Sequence, residues 1–229
     1  MFNLYGFEDA IAFGAWVTIK VSIAALIFGL CLGLLGAWAK LSRFFILRTT
    51  ADVLTTIVRG VPELLLVLAF YFGGSVIVNK IAAGLGYGGY IEISAFVAGV
   101  VAVGTTFGAY ATEVFRGAIL AVPQGQIEAA RAAGMHAFLI FRRIVLPQVW
   151  RYALPGLGNL FLVLQKNTAL VSVIGLQELM RSAEFAVGYT KKPFTFYMCA
   201  ALIYLTMTIF TSIAFQYLET RASRGVRRA

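Results

Sequence analysis

Long apolar runs constrain this chain more than any other feature of its sequence. Five runs cover residues 21–39, 53–78, 93–112, 152–177 and 194–218, and their charged residues are confined to Arg59, Glu63 and Lys166. A helix of about 20 residues crosses the hydrocarbon core of a bilayer. In runs this long only a helix satisfies all backbone polar groups internally. The sequence therefore predicts an all-α membrane protein with five transmembrane helices.

The composition excludes several other classes of protein. Hydrophobic residues make up 60% of the chain and charged residues 13%, whereas about 25% of a soluble domain is charged. Two cysteines within apolar runs and a single histidine lead us to expect neither a disulfide framework nor a metal site. A membrane enzyme is disfavoured, because the sequence has no HExxH motif, no paired aspartates and no nucleophile with a nearby base. We therefore expect no catalytic residues.

The basic residues predict the orientation of the chain in the membrane. Most of the 19 Lys and Arg residues lie in the loops after the first and third runs and in the C-terminal tail. Such residues favour the cytoplasmic side, so we expect the N-terminus outside and the C-terminus inside. The chain then divides into an external segment (1–15), a membrane domain (16–218) and a basic cytoplasmic tail (219–229). The net charge of +9 is explained by this basic rim, and we expect no nucleic-acid partner.

A loop of about forty residues between the third and fourth runs is long for so compact a chain, and long loops are usually functional. Pro123 suits the start of a short helix and Gly134 suits a left-handed C-terminal cap. A second helical segment, 137–146, stops at Pro147. On its residues alone, the hairpin at about 123–147 could be an amphipathic element at the membrane surface.

The same hairpin resembles the EAA motif of binding-protein-dependent ABC importer permeases. The positions that carry the resemblance are Glu128, Ala129, Ala130, Gly134, Phe141, Ile144, Leu146 and Pro147. Segments 59–63, 109–119, 151–156 and 169–176 are similar to the polar amino acid subfamily, above all to permeases for histidine, arginine/ornithine and opines. The resemblance covers essentially the whole chain.

This resemblance implies a type I ABC importer transmembrane domain in the bacterial inner membrane, with the N-terminus in the periplasm. The partners would be a second permease subunit, identical or paralogous, two ATP-binding subunits that carry ATP-Mg, and a periplasmic substrate-binding protein. The chain itself would bind no cofactor, since it lacks the phosphate-cradling GxxxxGK[ST] motif. The residues seated on the ATPase would be Glu128, Ala129, Ala130, Arg131 and Gly134.

Polar residues in the fourth run suggest a substrate pathway. Polar and ionisable side chains are rare in a bilayer and usually face a cavity or a partner. The family's substrates carry an amino and a carboxylate group, so we hypothesise that Asn159, Gln165 and Asn167 line the pathway. The alternative is that they bond to neighbouring helices or to the partner subunit. Lys166 is the charged residue of this stretch.

Four further charges lie near the cytoplasmic ends of the second and third runs. Glu63 is four residues after Arg59, and Glu113 is three residues before Arg116. Residues at these spacings are neighbours on a helix, so we expect two local ion pairs rather than substrate contacts.

An ion-coupled secondary carrier or a channel for small polar solutes is the alternative function. Neither would need a coupling hairpin, and a carrier of this size usually shows an internal repeat, which this chain lacks. Uptake that persists in ATP-depleted vesicles would favour this alternative.

Overall fold

Long helices dominate the computed structural model, which describes residues 4–224. Within that range the chain forms eight helices and no strand. They are α1 (Glu8–Lys40), α2 (Phe45–Gly60), α3 (Glu63–Gly84), α4 (Ala95–Leu120), α5 (Gln124–Ala132), α6 (Ala137–Ile174), α7 (Leu179–Thr190) and α8 (Pro193–Ala222). Five of them, α1, α3, α4, α6 and α8, are long and apolar enough to cross a membrane, which confirms the predicted number. The first span is longer than expected, since α1 begins at Glu8 and not near residue 21.

The predicted second span is wrong in its bounds, because the chain breaks between α2 and α3. Val61 and Pro62 are extended, with ψ of 136° and 134°. A proline lacks the amide donor of the helical ladder and disfavours helical geometry in the residue before it. The stretch before Pro62 therefore forms a separate helix, α2, in which Ala51 and Thr55 are buried.

The second arm of the predicted hairpin does not stop at Pro147. Helix α6 runs from Ala137 to Ile174 and includes Pro147 and Pro155. A π-helical turn, Phe141–Val145, comes directly before the α-helical segment in which Pro147 occupies the first turn. Pro147 removes one amide donor from the helical ladder, and it does so next to a π-helical turn, where the hydrogen-bond spacing already departs from that of an α-helix. Pro155, expected near the start of a span, lies inside the helix with an exposed side chain.

Close packing of α1 on α4 forms the centre of the molecule. A side chain at Gly29 would approach the Gly104 carbonyl oxygen to 2.6 Å, and one at Gly33 would approach Ala111 Cβ to 2.8 Å. Small residues at such a crossing let two membrane helices approach closely. The main core extends from α4 to α6 through Phe107, Phe115, Ala153 and Leu157. A second, smaller core joins α1, α7 and α8 through Ile11, Leu179, Ala183, Ala186, Phe196 and Ala200.

Candidate functional site

A cavity of about 200 Å³ lies where α3, α4 and α6 meet. Its polar groups include the carboxylate of Glu63, the first residue of α3, and the amide of Asn167, the last residue before α6 tightens into a 3-10 helix. Asn167 Nδ2 donates a hydrogen bond to Glu63 Oε2. The remaining walls are mostly apolar: Val103, Thr106, Phe107, Tyr110, Leu160, Val163 and Leu164. A carboxylate and an amide in such walls can bind a small molecule that carries both a cation and an acceptor group.

The carboxylate of Glu63 is free to face this cavity because the predicted Arg59–Glu63 ion pair, which is wrong, does not form. The break at Val61–Pro62 removes the helical spacing that would have brought the two side chains together. Arg59 instead lies over the ring of Tyr110, with Cζ 5.2 Å from the ring centroid, and its Nη1 is 3.9 Å from Glu113 Oε1. Within residues 4–224 Glu63 has no ion pair, so its carboxylate faces the cavity with Asn167 as its neighbour.

A cluster of charges lies next to the cavity, on the α1, α2 and α4 side of Tyr110. The predicted Glu113–Arg116 pair is confirmed, with Arg116 Nε 2.9 Å from Glu113 Oε2. Lys40 follows the first apolar run, where a charged residue is expected to be exposed in a loop. Its side chain is instead only 6% exposed, and its Nζ contacts Glu113 Oε1 at 2.6 Å and Asp52 Oδ1 at 2.9 Å. A buried ammonium needs such partners to offset the loss of hydration. The cluster joins α1, α2 and α4.

The three residues hypothesised to line the pathway do not share one face of α6. Only Asn167 lines the cavity. Gln165 is buried on another side and accepts a hydrogen bond from Thr211 Oγ1 of α8 at 3.3 Å, while Asn159 is exposed. Lys166 borders a separate groove between α6 and α8. Positions 165 and 167 are two residues apart and therefore point to nearly opposite sides of a helix with 3.6 residues per turn.

The short helix α5 has the local geometry that its sequence predicts. It starts after Pro123 and ends in a Schellman turn at Gly134, whose φ is +76°. The amide of Met135 donates to the Ala130 carbonyl at 3.0 Å and the amide of Gly134 to the Arg131 carbonyl at 2.9 Å, as this type of cap requires.

The residues of α5 divide between an inward and an outward side. Ala130 is buried, whereas Glu128, Ala129, Arg131 and Gly134 are exposed. A hydrogen bond of 2.7 Å from Gln148 Nε2 to Gln126 Oε1 also ties α5 to α6. The result is a firmly capped helix that presents two charges and small residues to the outside.

Sequence reasoning missed the buried carboxylate of Glu178. Glu178 is 0% exposed. It caps α7 by accepting from the Arg181 amide at 2.8 Å, and it accepts from Tyr204 OH at 3.0 Å and from Thr18 Oγ1 at 3.3 Å. Burial raises the pKa of this carboxyl, although the hydrogen bonds act in the opposite direction.

Comparison with known proteins identifies the family. The family model described as binding-protein-dependent transport system inner membrane component matches residues 29–224. The nopaline transport system permease protein of Agrobacterium fabrum is 50% identical over 223 residues, which cover 97% of this chain and 94% of the relative. The histidine/lysine/arginine/ornithine transport system permease protein of Escherichia coli is 42% identical and covers 99% of both chains.

Solved structures show the same architecture. A crystal structure of an amino acid ABC transporter with histidines matches with a TM-score of 0.79 and 33% identity, covering 94% of this chain and 95% of that chain. An inward-facing methionine ABC transporter matches with a TM-score of 0.73 at 20% identity, over 93% and 96% of the two chains, and so supports the fold alone.

These matches agree with the five membrane-crossing helices. Permeases of this kind are not enzymes, and they act together with a further permease subunit, an ATPase and a substrate-binding protein. The protein is a multi-pass component of a bacterial inner membrane. The chain belongs to the family of binding-protein-dependent transport system inner membrane components, as a permease subunit of an ABC importer.

Proposed function

We propose that this permease subunit conducts a basic amino acid or an opine, and that the cavity holding Glu63 and Asn167 is its substrate-contacting site. The observation that carries the proposal is the pair of polar groups, one of them a carboxylate without an ion-pair partner in residues 4–224, in a cavity with otherwise mostly apolar walls. The named relatives transport nopaline in one case and histidine, lysine, arginine and ornithine in the other.

The chemistry of the cavity suits a cationic substrate. Glu63 is the first residue of a membrane-crossing helix, and ionisable side chains in such helices usually face a cavity or a partner. Glu63 would accept hydrogen bonds from an ammonium or guanidinium group, and Asn167 would donate its amide hydrogens to a carboxylate. The two side chains bond to each other. Entry of substrate would exchange this contact for two contacts to the ligand.

The capped helix α5 would transmit the work of the ATPase. Two ATP-binding subunits, each carrying ATP-Mg, would bind the exposed side formed by Glu128, Ala129, Arg131 and Gly134, while the buried Ala130 holds α5 to its own subunit. The ATPase would bind two arrangements of the permease pair with different affinity and so shift the pore between them. The second permease would be a paralogue or a copy of this chain.

The proposed orientation places the N-terminus in the periplasm. Each membrane-crossing helix reverses the direction of the chain, so α2 and α5 lie on the same side, together with Lys40, Arg43, Arg48 and Arg131. The permease domain would cover 16–218, with the coupling hairpin at about 123–147, and the basic tail would cover 219–229. Helix α1 starts inside the proposed periplasmic segment 1–15, and residues 225–229 lie outside the described range.

ATP-driven uptake by the reconstituted importer tests this function. The chain is co-expressed with its partner permease and ATPase, purified and placed in proteoliposomes with the substrate-binding protein. Radiolabelled arginine, histidine, octopine, nopaline and glutamine are then offered with and without internal ATP. We expect ATP-dependent uptake of a basic amino acid or an opine, with glutamine excluded. Uptake that persists without ATP would instead support the carrier, and exclusive uptake of glutamine would contradict the proposed substrate class.

A further inference from the structure

A second cavity lies between α1, α2 and α4. This crevice measures about 470 Å³ and shares no lining residue with the cavity of Glu63. Its walls include Leu32 and Leu35 of α1, Leu47 and Leu54 of α2, and Phe70 of α3. An occupant of such walls must be apolar along most of its length.

The crevice exists because the buried residues of α2 have short side chains. Ala51 and Thr55 are its buried residues. The larger apolar side chains of the same helix stay exposed, among them Phe45, Ile46 and Ile57 at 68%, 80% and 55%. A helix with one exposed apolar flank and basic residues at its end is typical of elements that lie in the membrane interface.

Two arginines flank Leu47, a residue in the wall of the crevice. Arg43 lies four residues before Leu47, in the connector that precedes α2, and Arg48 follows Leu47 directly in the first turn of α2. Their guanidinium groups lie over the exposed rings of Phe44 and Phe45, with Cζ 5.4 and 6.0 Å from the ring centroids. Within residues 4–224 neither arginine pairs with a carboxylate, whereas the neighbouring Lys40 is paired twice.

We infer that this crevice binds an anionic glycerophospholipid. One acyl chain lies between α1, α2 and α4, and the phosphate lies against Arg43 and Arg48. Basic pockets between membrane helices on the cytoplasmic side recognise anionic headgroups in this way. A partner permease would need to supply both an apolar segment and an acid at its end, whereas an anionic lipid carries both features in one molecule.

Occupancy of this site would affect the transport cavity through α2. Asp52 of α2 contacts Lys40, which in turn contacts Glu113, and the C-terminal end of α2 is separated from Glu63 only by Val61 and Pro62. The lipid would thus hold the helix that directly precedes the substrate-contacting carboxylate.

Native mass spectrometry of the assembled importer tests the inference without any measurement of transport. The purified complex is incubated with dioleoyl phosphatidylglycerol or dioleoyl phosphatidylcholine, and the retained lipid is counted. We expect preferential retention of phosphatidylglycerol, and a loss of that preference of about 30-fold in the double variant Arg43→Gln/Arg48→Gln, as expected when two basic residues leave an anionic headgroup.

Two further variants separate headgroup from acyl-chain binding. Arg221→Gln/Arg224→Gln removes two exposed arginines from the end of α8, outside the crevice, and should leave retention unchanged. Thr50→Trp fills the crevice from its exposed rim and should abolish retention of both lipids. Equal loss in the Arg221/Arg224 control, or full retention by Thr50→Trp, would overturn the inference.

A cysteine at Leu54 tests the competing occupant. In a Cys31→Ser/Cys199→Ser background, Leu54→Cys should form no disulfide with cysteines introduced along the partner permease. Efficient cross-linking would show that the partner covers the crevice and would overturn the lipid site.

Discussion

Two glutamates at helix starts, Glu63 and Glu178, have opposite surroundings. Glu178 is fully buried and accepts three hydrogen bonds, from the Arg181 amide, Tyr204 and Thr18. Glu63 borders a cavity, and within the described residues its carboxylate accepts one hydrogen bond, from Asn167. A carboxylate whose acceptor positions are filled from three helices holds those helices together. One that faces open space beside a single amide retains the capacity to bind a ligand.

Removal of the Glu178 carboxylate should give the largest loss of stability. Glu178→Ala removes the shared acceptor of the Arg181 amide, Tyr204 and Thr18, and we expect a cost of about 3 kcal/mol. The measurement is the thermal unfolding of the assembled complex in detergent. Glu184→Ala is the matched control, since its exposed i,i+3 pair with Arg181 should contribute less than about 0.5 kcal/mol. Similar losses in the two variants would contradict a structural role for Glu178.

Glu63→Gln should impair transport and leave stability unchanged. Loss of one partner from a desolvated charge contact costs about 2 kcal/mol or more, so ATP-driven uptake of a basic substrate should fall about 30-fold. The melting temperature should match that of the wild type, because no ion pair of the folded chain is removed. A normal uptake rate, or a melting temperature lowered as far as in Glu178→Ala, would abolish the distinction between the two glutamates.

Two asparagines of α6 compare a residue that lines the cavity with an exposed residue of the same helix. Asn167→Leu removes the cavity amide and should reduce uptake about tenfold, as expected for one lost hydrogen bond to a charged group. Asn159→Leu changes an exposed residue outside the cavity and should leave uptake intact. Co-purification of the partner permease and the ATPase verifies assembly in both variants. Equal uptake by Asn167→Leu and Asn159→Leu would remove Asn167 from the pathway.

The titration of Glu178 should make stability depend on pH. Its pKa is raised by burial, so between the unfolded value of about 4.3 and the higher folded value the folded state binds more protons. This contribution to stability is complete below that window and is lost as the pH rises through the folded pKa. The melting temperature of the wild type should therefore fall, relative to that of Glu178→Gln, as the pH rises above the unfolded pKa and through the higher folded pKa. Parallel curves would show that the carboxyl keeps its ordinary pKa.

Ser182→Ala should have the smallest effect. Ser182 Oγ is buried beside Gly14 and has no hydrogen-bond partner in residues 4–224. Removal of an unsatisfied hydroxyl is nearly neutral or slightly stabilising, so we expect a change within about 0.5 kcal/mol. Unfolding measurements that show a loss above about 1 kcal/mol would indicate that the α1–α7 contact depends on this hydroxyl.

Local patterns in the sequence sufficed for much of the fold. The number of spans follows from the length and polarity of the apolar runs, and the cap at Gly134 follows from residues within one helical turn. The Glu113–Arg116 pair is equally local. Each of these features depends on neighbours a few residues apart, whose spacing the helix fixes.

Features that depend on packing between distant segments could not be predicted. Lys40 meets Glu113, and Glu178 meets Thr18, only because α1 packs on α4 and α7. The orientation of Gln165 toward Thr211 likewise depends on where α8 lies. The failed Arg59–Glu63 prediction is different, because Pro62 was visible in the sequence and its effect on the helical spacing was underestimated.

Protection of a cavity cysteine by substrate tests the central claim most directly. In a Cys31→Ser/Cys199→Ser background, Val163→Cys places a thiol in the wall of the cavity, and Glu184→Cys places one on the exposed face of α7. The labelling rate with a thiol-reactive methanethiosulfonate is measured on the assembled importer with and without a saturating transported basic amino acid or opine. We predict that the substrate slows labelling at position 163 several-fold and leaves position 184 unaffected. Equal labelling at position 163 with and without substrate, in a complex that transports normally, would contradict the assignment of this cavity to the transport pathway.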